Sequence, residues 1–269
     1  MPGKRSSFYV NGVALNIPGV RWVTDEQRLH GPDNINMVQV QLAGRSGEVP
    51  IPATHTVGAS TWEVSITIQG RSYEEVMLRK GQLEGLLAPP GELVRITEKF
   101  PSGREWTAEA YLVSSSIDRP WNSQDDGVDL TYSFRIPSGV WLEPPVTVPF
   151  NATGTYTVDG AKNGSAPIYD VTVTLNTSGS DVAFTIHPPN SISHYIGYRD
   201  KTNQSGRVID INNRNSTAYV RHDGNRPIRA TNNLQTSLTP FFIGTDGAFT
   251  VSQMRGVSSG EVKLRRAWY

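Results

Sequence analysis

The feature that most constrains the fold lies in residues 58–91, where one long alternating segment runs straight into one capped helical segment. Trp62, Val64, Ile66 and Ile68 fall on one side of an extended chain, and Glu63, Ser65, Thr67 and Gln69 fall on the other. This is the period-two pattern of a strand with one buried face. Gly70 ends it. Ser72 then stands three residues before Glu75, a capping box that opens a helix. Tyr73, Val76, Leu83 and Leu87 share one helical stripe, which predicts a packed face. Pro89, Pro90 and Gly91 predict the stop, because proline cannot continue the helical hydrogen-bond ladder. No other segment carries a comparable helical period. The pattern therefore predicts a mainly β protein with a single helix over 73–87.

The rest of the first half supports that class. Phe8-Tyr9-Val10 and Val13-Ala14-Leu15 flank Asn11-Gly12, a two-residue hairpin signal. Val38, Val40 and Leu42 alternate with Gln39 and Gln41 and predict a strand. Residues 43–58 are rich in glycine and hold Pro50 and Pro52, which predicts a long irregular arm or loop. Strands are expected at Leu93–Lys99 and Glu105–Val113 around a Pro101-Ser102-Gly103 turn. A further strand starts at Gly127, with Leu130, Tyr132, Phe134 and Ile136 on one face. Turn residues between Pro137 and Pro149 place a domain boundary there, giving domains 1–147 and 148–269. From about residue 150 short strands alternate with Asn, Ser, Thr and Gly turns: Ile168–Leu175, Val182–Ile186, Tyr195–Tyr198, Val208–Ile211, Ala218–Val220, Phe241–Ile243, Phe249–Val251 and Val262–Trp268. That spacing predicts a sandwich of two antiparallel sheets.

Composition narrows the function. The 269 residues suffice for two domains of common size. Lys plus Arg is 25 and Asp plus Glu is 25, so there is no basic excess of the kind that nucleic-acid binders show. Neutral chains are poorly protected against self-association, which suits a protein built to assemble. There are no cysteines, which removes disulfides and thiolate metal sites. No apolar run approaches the ~20 residues of a membrane helix. Lys4 and Arg5 are followed by no apolar segment, so no signal peptide is expected and synthesis in a cytosol is.

The first half resembles the N-terminal domain of the siphophage distal tail protein (Dit) family. The residues that carry the resemblance are Gly44-Arg45-Ser46-Gly47, the strand Trp62–Ile68 closed by Gly70-Arg71-Ser72, the helix Tyr73–Leu87 with Gly85-Leu86-Leu87 at its end, and the strand Leu130–Ile136 followed by Trp141. The second half resembles the galectin-like C-terminal domain of the same family, as found in phages of actinobacteria. Here the carriers are Asn163-Gly164-Ser165-Ala166-Pro167, Val171–Leu175, and the ending from Gly247-Ala248-Phe249 through Lys263-Leu264-Arg265-Arg266-Ala267-Trp268. The resemblance implies two β-sandwich domains, the first with the single helix and the second galectin-like. It implies a structural virion protein, made in the host cytoplasm, that forms a ring, commonly a homohexamer, joining the tail tube to the tip or adhesion apparatus. Its partners would be itself, the tail tube protein, the tail hub or tail-associated protein, the tape-measure protein and receptor-binding proteins. No enzyme activity, cofactor, membrane insertion or sequence-specific nucleic acid is implied.

Candidate sites were weighed against packing roles. Gly44, Arg45, Ser46, Gly47, Pro50 and Pro52 are candidates for an inter-subunit arm. Histidines at 30, 55, 187, 194 and 222 show no close ligand pair, and no metal site is expected. Asp125-Asp126-Gly127 lacks the spacing of a calcium loop. Gly44–Gly47 is not followed by the Gly-Lys-Ser/Thr of a phosphate loop. No Gly-x-Ser-x-Gly elbow exists, and no acid/base pair singles out a wall hydrolase. A galectin-type sugar site needs an aromatic platform with His, Asn and Arg donors. No Trp lies between Trp141 and Trp268, so Tyr195, Tyr198, Tyr219, Arg221, His222 and Arg226 form a weak candidate surface for sugar or partner. The alternative function is accordingly a galectin-like carbohydrate-binding module that recognises host cell-wall polymer. Arg266 interrupts the inward face expected of the last strand and is a candidate C-terminal interface residue.

Overall fold

The computed structural model describes residues 7–15, 19–22, 35–36, 39–41, 48–50, 56–88, 92–122, 127–158, 164–192, 194–202, 204–222, 226–236 and 241–269. The chain divides into two units, residues 1–143 with 268–269, and residues 144–267. The protein is mainly β with a single α-helix among the described residues.

In the first unit, β1 (Ser7–Val10) and β2 (Val13–Ala14) form the expected hairpin. Asn11 and Gly12 have φ values of 50° and 81°, the left-handed pair that a two-residue turn of this type requires. β3 (Val20–Trp22) pairs with β8 (Ser60–Gln69). The helix α1 spans Tyr73–Leu87, as its stripe predicts. Ser72 caps it by accepting from the Glu75 amide at 3.2 Å. Glu75 does not complete the box on Ser72; its carboxylate accepts from the Arg71 amide at 2.7 Å. Pro89, Pro90 and Gly91 lie outside the described residues.

β9 (Val94–Lys99), β10 (Glu105–Asn122) and β11 (Gly127–Ile136) complete a sheet in the order β2-β1-β9-β10-β11-β8-β3. β10 runs past the expected end at Val113. It pairs with β9 through Ala110 and with β11 from Tyr111 onward. Register shifts after Leu112 and after Ile117 let one strand serve both halves of the sheet, because a bulge bends and twists its strand. The core between the halves holds Val10, Trp62, Val64, Ile66, Ile68, Val94, Ile96, Leu130, Tyr132, Phe134 and Ile136, sealed by Val76, Leu83 and Leu87 of α1. Each such side chain taken fully from water contributes roughly 1.5–3 kcal/mol. Tyr73 is a correction to the expected stripe: it is 56% exposed and lies beside the core, not in it.

The second unit stacks two antiparallel sheets. β13 (Val146–Phe150), β15 (Val171–Thr177), β18 (Val208–Asn212), β19 (Thr217–Arg221), β20 (Ile228–Arg229) and β23 (Val257–Leu264) form one, in the order β13-β23-β15-β18-β19-β20. β14 (Gly154–Thr157), β16 (Val182–His187), β17 (Ile196–Asp200), β21 (Leu234–Thr236) and β22 (Ala248–Arg255) form the other, in the order β14-β22-β16-β17-β21. Alternate residues meet in the core: Val171, Val173, Leu175, Ile209, Ile211, Val262 and Leu264 from the first sheet, and Phe184, Ile186, Ile196, Tyr198, Phe249 and Val251 from the second. β13 and β14 have no counterpart in the sequence pattern. The last expected strand, Val262–Trp268, is not continuous: β23 ends at Leu264, and only Ala267–Trp268 returns to extended pairing.

Candidate functional site

The second half of β10 is paired on one side only among the described strands. From Tyr111 to Asp118 it has β11 on one side, and no other described strand pairs with it there. An unpaired edge presents a row of backbone donors and acceptors ready to pair with another chain. Pro120 fits this position, since proline within sheets is confined to edges and bulges.

Three large apolar side chains are exposed along this edge, among the polar Ser114, Ser115, Ser116 and Asp118. Tyr111, Val113 and Ile117 are 44%, 58% and 61% exposed. Ile117 stands opposite Leu130, a core residue, so by register it lies on the core side of the sheet, yet it is mostly exposed. α1 exposes further apolar side chains, one of them against the end of β10. Tyr73 sets its ring edge-on against Trp121 at 5.7 Å between centroids, and Met77, one turn along, is 43% exposed. By register Tyr111, opposite Arg135, and Ile117, opposite Leu130, lie on the two different faces of the strand, so the edge exposes apolar side chains on both. Sequence reasoning placed Tyr73 in the core and ended the strand at Val113, so it missed this edge. Pro120 was the available signal.

The expected arm is partly described. β4 (Ile35–Asn36) pairs with β7 (Thr56–Val57), and β5 (Gln39–Gln41) pairs with β6 (Glu48–Pro50), two short antiparallel ladders, so residues 48–50 and 56–57 are paired strands where the sequence pattern predicts an irregular arm. Pro50 ends β6, opposite Gln39. Gly44, Arg45, Ser46, Gly47 and Pro52 lie outside the described residues, as do His30, His55, Asp125 and Asp126.

The candidate sugar surface is not one surface. Tyr198 belongs to the five-stranded sheet, with Tyr195 just before its strand β17, and Tyr219 and Arg221 belong to the six-stranded one. Tyr198 is a core residue; burial pushes its phenol up to about 12, and its hydroxyl donates to Asp200 Oδ2 at 3.2 Å. Arg221 pairs with Asp210 at 2.7 Å, a contact that raises its pKa. His222 Nε2 lies 2.7 Å from Gln204 Oε1, and Arg226 is exposed. Arg266 is half-buried between β23 and Ala267. Among the described residues no group of three His, Asp or Glu is placed to hold a metal ion, and no helix is long and apolar enough to cross a membrane.

No family model matches the sequence, and no curated protein matches it. Among solved structures, the chain is similar to the SPP1 Dit protein, described as a paradigm of hub adsorption apparatus in phages that infect Gram-positive hosts. The TM-score is 0.65 at 14% identity, over 99% of this chain and 100% of that one. It is also similar to a chain of the phage P2 baseplate in its activated conformation, with a TM-score of 0.49 at 13% identity over 98% of each chain. The likeness to SPP1 Dit shows that the two chains share a fold across both units.

Proposed function

We propose that this chain is a structural subunit of a phage tail that closes into a ring at the distal end of a non-contractile tail, joining the tube to the tip and adhesion apparatus. The observation that carries the reading is the open edge of β10, on which Tyr111, Val113 and Ile117 are exposed. It is an interaction surface without a ligand pocket, and a second copy of the chain is its occupant. The fold shared with SPP1 Dit supports the class. The balance of 25 basic and 25 acidic residues removes long-range self-repulsion. One copy presents the β10 edge, and the next meets it with a different surface. Such a heterologous contact closes a ring when its rotation divides the circle. A homohexamer is the expected ring, with the tube protein, hub protein, tape-measure protein and receptor-binding proteins as neighbours in the virion. The segment 43–58 is the arm we assign to contact with an adjacent subunit. The galectin-like reading of the second unit belongs to the same proposal and is supported by its two stacked antiparallel sheets.

The test is assembly measured by light scattering, alone and with the tube protein. Val113→Asp combined with Ile117→Asp is expected to leave the circular dichroism spectrum unchanged, because both side chains are exposed. It should weaken association about a hundredfold or more, since two apolar contacts are replaced by two buried charges. Unchanged assembly would remove β10 from the interface, and a wild-type chain that stays monomeric even beside its tube partner would sink the function. Deleting residues 46–54 shortens the arm; the monomer is expected to fold while ring formation drops.

A further inference from the structure

The five-stranded sheet of the second unit turns one face to the core and leaves the other face open. On that outer face the ladder registers build a trough. Ala183 on β16 sits between Arg199 on β17 and Arg255 on β22. The next outward row runs Gln253, Thr185, Gly197 and Gln235 across β22, β16, β17 and β21. Ala183, Thr185 and Gly197 make a low floor, while two arginines and two glutamines rise at the sides. Tyr195, His187, Ile192, Ser191 and Ser252 also line the hollow, which holds about 530 Å³.

The chemistry of the lining is specific. It includes two guanidinium groups and no carboxylate. Adjacent strands lie about 4.8 Å apart, so the Arg199 and Arg255 backbones stand roughly 10 Å from each other across Ala183, room for one anionic group between the two guanidinium heads. Arg255 has an outside partner, Asp181 at 3.1 Å, but both are about half exposed and such pairs are weak. Arg199 has no partner among the described residues. The Tyr195 ring packs over Gly197: a Cβ there would come within 3.2 Å of Tyr195 Cε2 and 2.8 Å of the Gln235 carbonyl. His187 Nδ1 lies 2.8 Å from the Pro188 carbonyl, which makes Nδ1 the donor and leaves Nε2 as an acceptor in the neutral ring.

We propose that this trough binds an acidic saccharide, a hydroxyl-rich chain bearing carboxylate or phosphate groups. The anion lies between Arg199 and Arg255 above Ala183, the sugar hydroxyls exchange hydrogen bonds with Gln235, Gln253 and Thr185, and a sugar face rests on Tyr195. Amide groups that both donate and accept, beside one aromatic ring, suit vicinal hydroxyls. Because the surface is a sheet face, a peptide could not join it by strand addition, which needs an edge. The site is independent of ring assembly and needs none of the residues of β10.

The experiment is calorimetric titration of the full chain with hexagalacturonate, with lactose and polyglutamate as neutral-sugar and non-sugar controls. Saturable binding of the galacturonate is expected, with none for lactose. Arg199→Ala should weaken it about tenfold or more, the worth of a charge-assisted hydrogen bond. Tyr195→Ala should weaken it about tenfold through loss of the platform. Both side chains lie outside the core, so the folding transition should not move. No binding by the wild type, binding of polyglutamate as tight as that of the sugar, or a Tyr195→Ala variant that binds unchanged would each overturn the proposal.

Discussion

Arg207→Leu is expected to destabilise the second unit by about 3–5 kcal/mol, the range for removing one partner of a buried ion pair. Arg207 is 2% exposed, and its Nη1 donates to Asp200 Oδ2 at 2.5 Å and to the Thr202 hydroxyl. Asp200 also accepts from the Thr202 amide at 2.9 Å and from the Tyr198 hydroxyl. Leucine fills similar space but leaves a carboxylate buried without its counter-charge. Asp200→Asn in the same chain should recover part of the loss, because the orphaned charge disappears. All six tryptophans, at 22, 62, 106, 121, 141 and 268, fall in the first unit. Tryptophan fluorescence during urea unfolding therefore follows that unit, and hydrogen exchange over 171–264 follows the other. Only the second readout should move, and an Arg207→Leu protein with native exchange protection would refute the prediction. The pH dependence has a definite sign. Burial opposes ionisation of Asp200, but the Thr202 amide and the Arg207 guanidinium outweigh it and hold its carboxyl below the ordinary value. The stabilisation is therefore complete above about pH 4 and is lost as pH falls through the lowered folded value.

The opposite pattern is expected for Trp268→Ala: the first unit loses about 2–3 kcal/mol, less than for a fully buried tryptophan because Trp268 is half-buried, and the second unit is unchanged. The indole stacks on Trp106 at 5.0 Å with 19° between planes, and the Arg104 guanidinium lies 4.8 Å from its ring. Its Nε1–H donates to Glu143 Oε1 at 3.1 Å, an atom that also accepts from Arg104 Nε at 3.1 Å. Glu143 is 3% exposed, so a lost donor there is a lost solvation partner for a buried charge. Trp268→Phe retains an aromatic ring for stacking and should cost about 1.5 kcal/mol, the low end for a hydrogen bond to a charged group. The urea midpoint by fluorescence checks both variants, and a midpoint for Trp268→Ala equal to the wild type would show that the C-terminal indole does not support the first unit.

Local periodicity determined a good deal by itself. Eight alternating residues from Trp62 to Gln69 are enough to say that a strand exists and which face is buried, and Val64, Ile66 and Ile68 are indeed core. The Ser72 cap and the Val76, Leu83, Leu87 stripe fix the helix, and Asn11-Gly12 fixes the hairpin, because caps and two-residue turns are satisfied within a few residues. Alternation likewise picks the inward residues of β15, β16 and β23.

What depended on tertiary structure was every feature set by a distant partner. The length of β10 comes from β11 pairing beyond the reach of β9, and the Ser and Asp residues near Ile117 hid that strand from any alternation test. Tyr73 satisfies the helical stripe, yet it is more than half exposed, its ring edge-on against Trp121 of β10. Trp268 reads as one more inward residue of a final strand; in the structure it packs in the first unit against Glu143, 125 residues away in sequence. Arg207 and Asp200 carry no local sign that they will share one buried bond. The trough over Ala183 exists only because three strands bring Arg199, Gly197 and Arg255 into register. A chain encodes its periods locally, but which strands become neighbours, and which edge is left without one, is decided by long-range pairing that no short window contains.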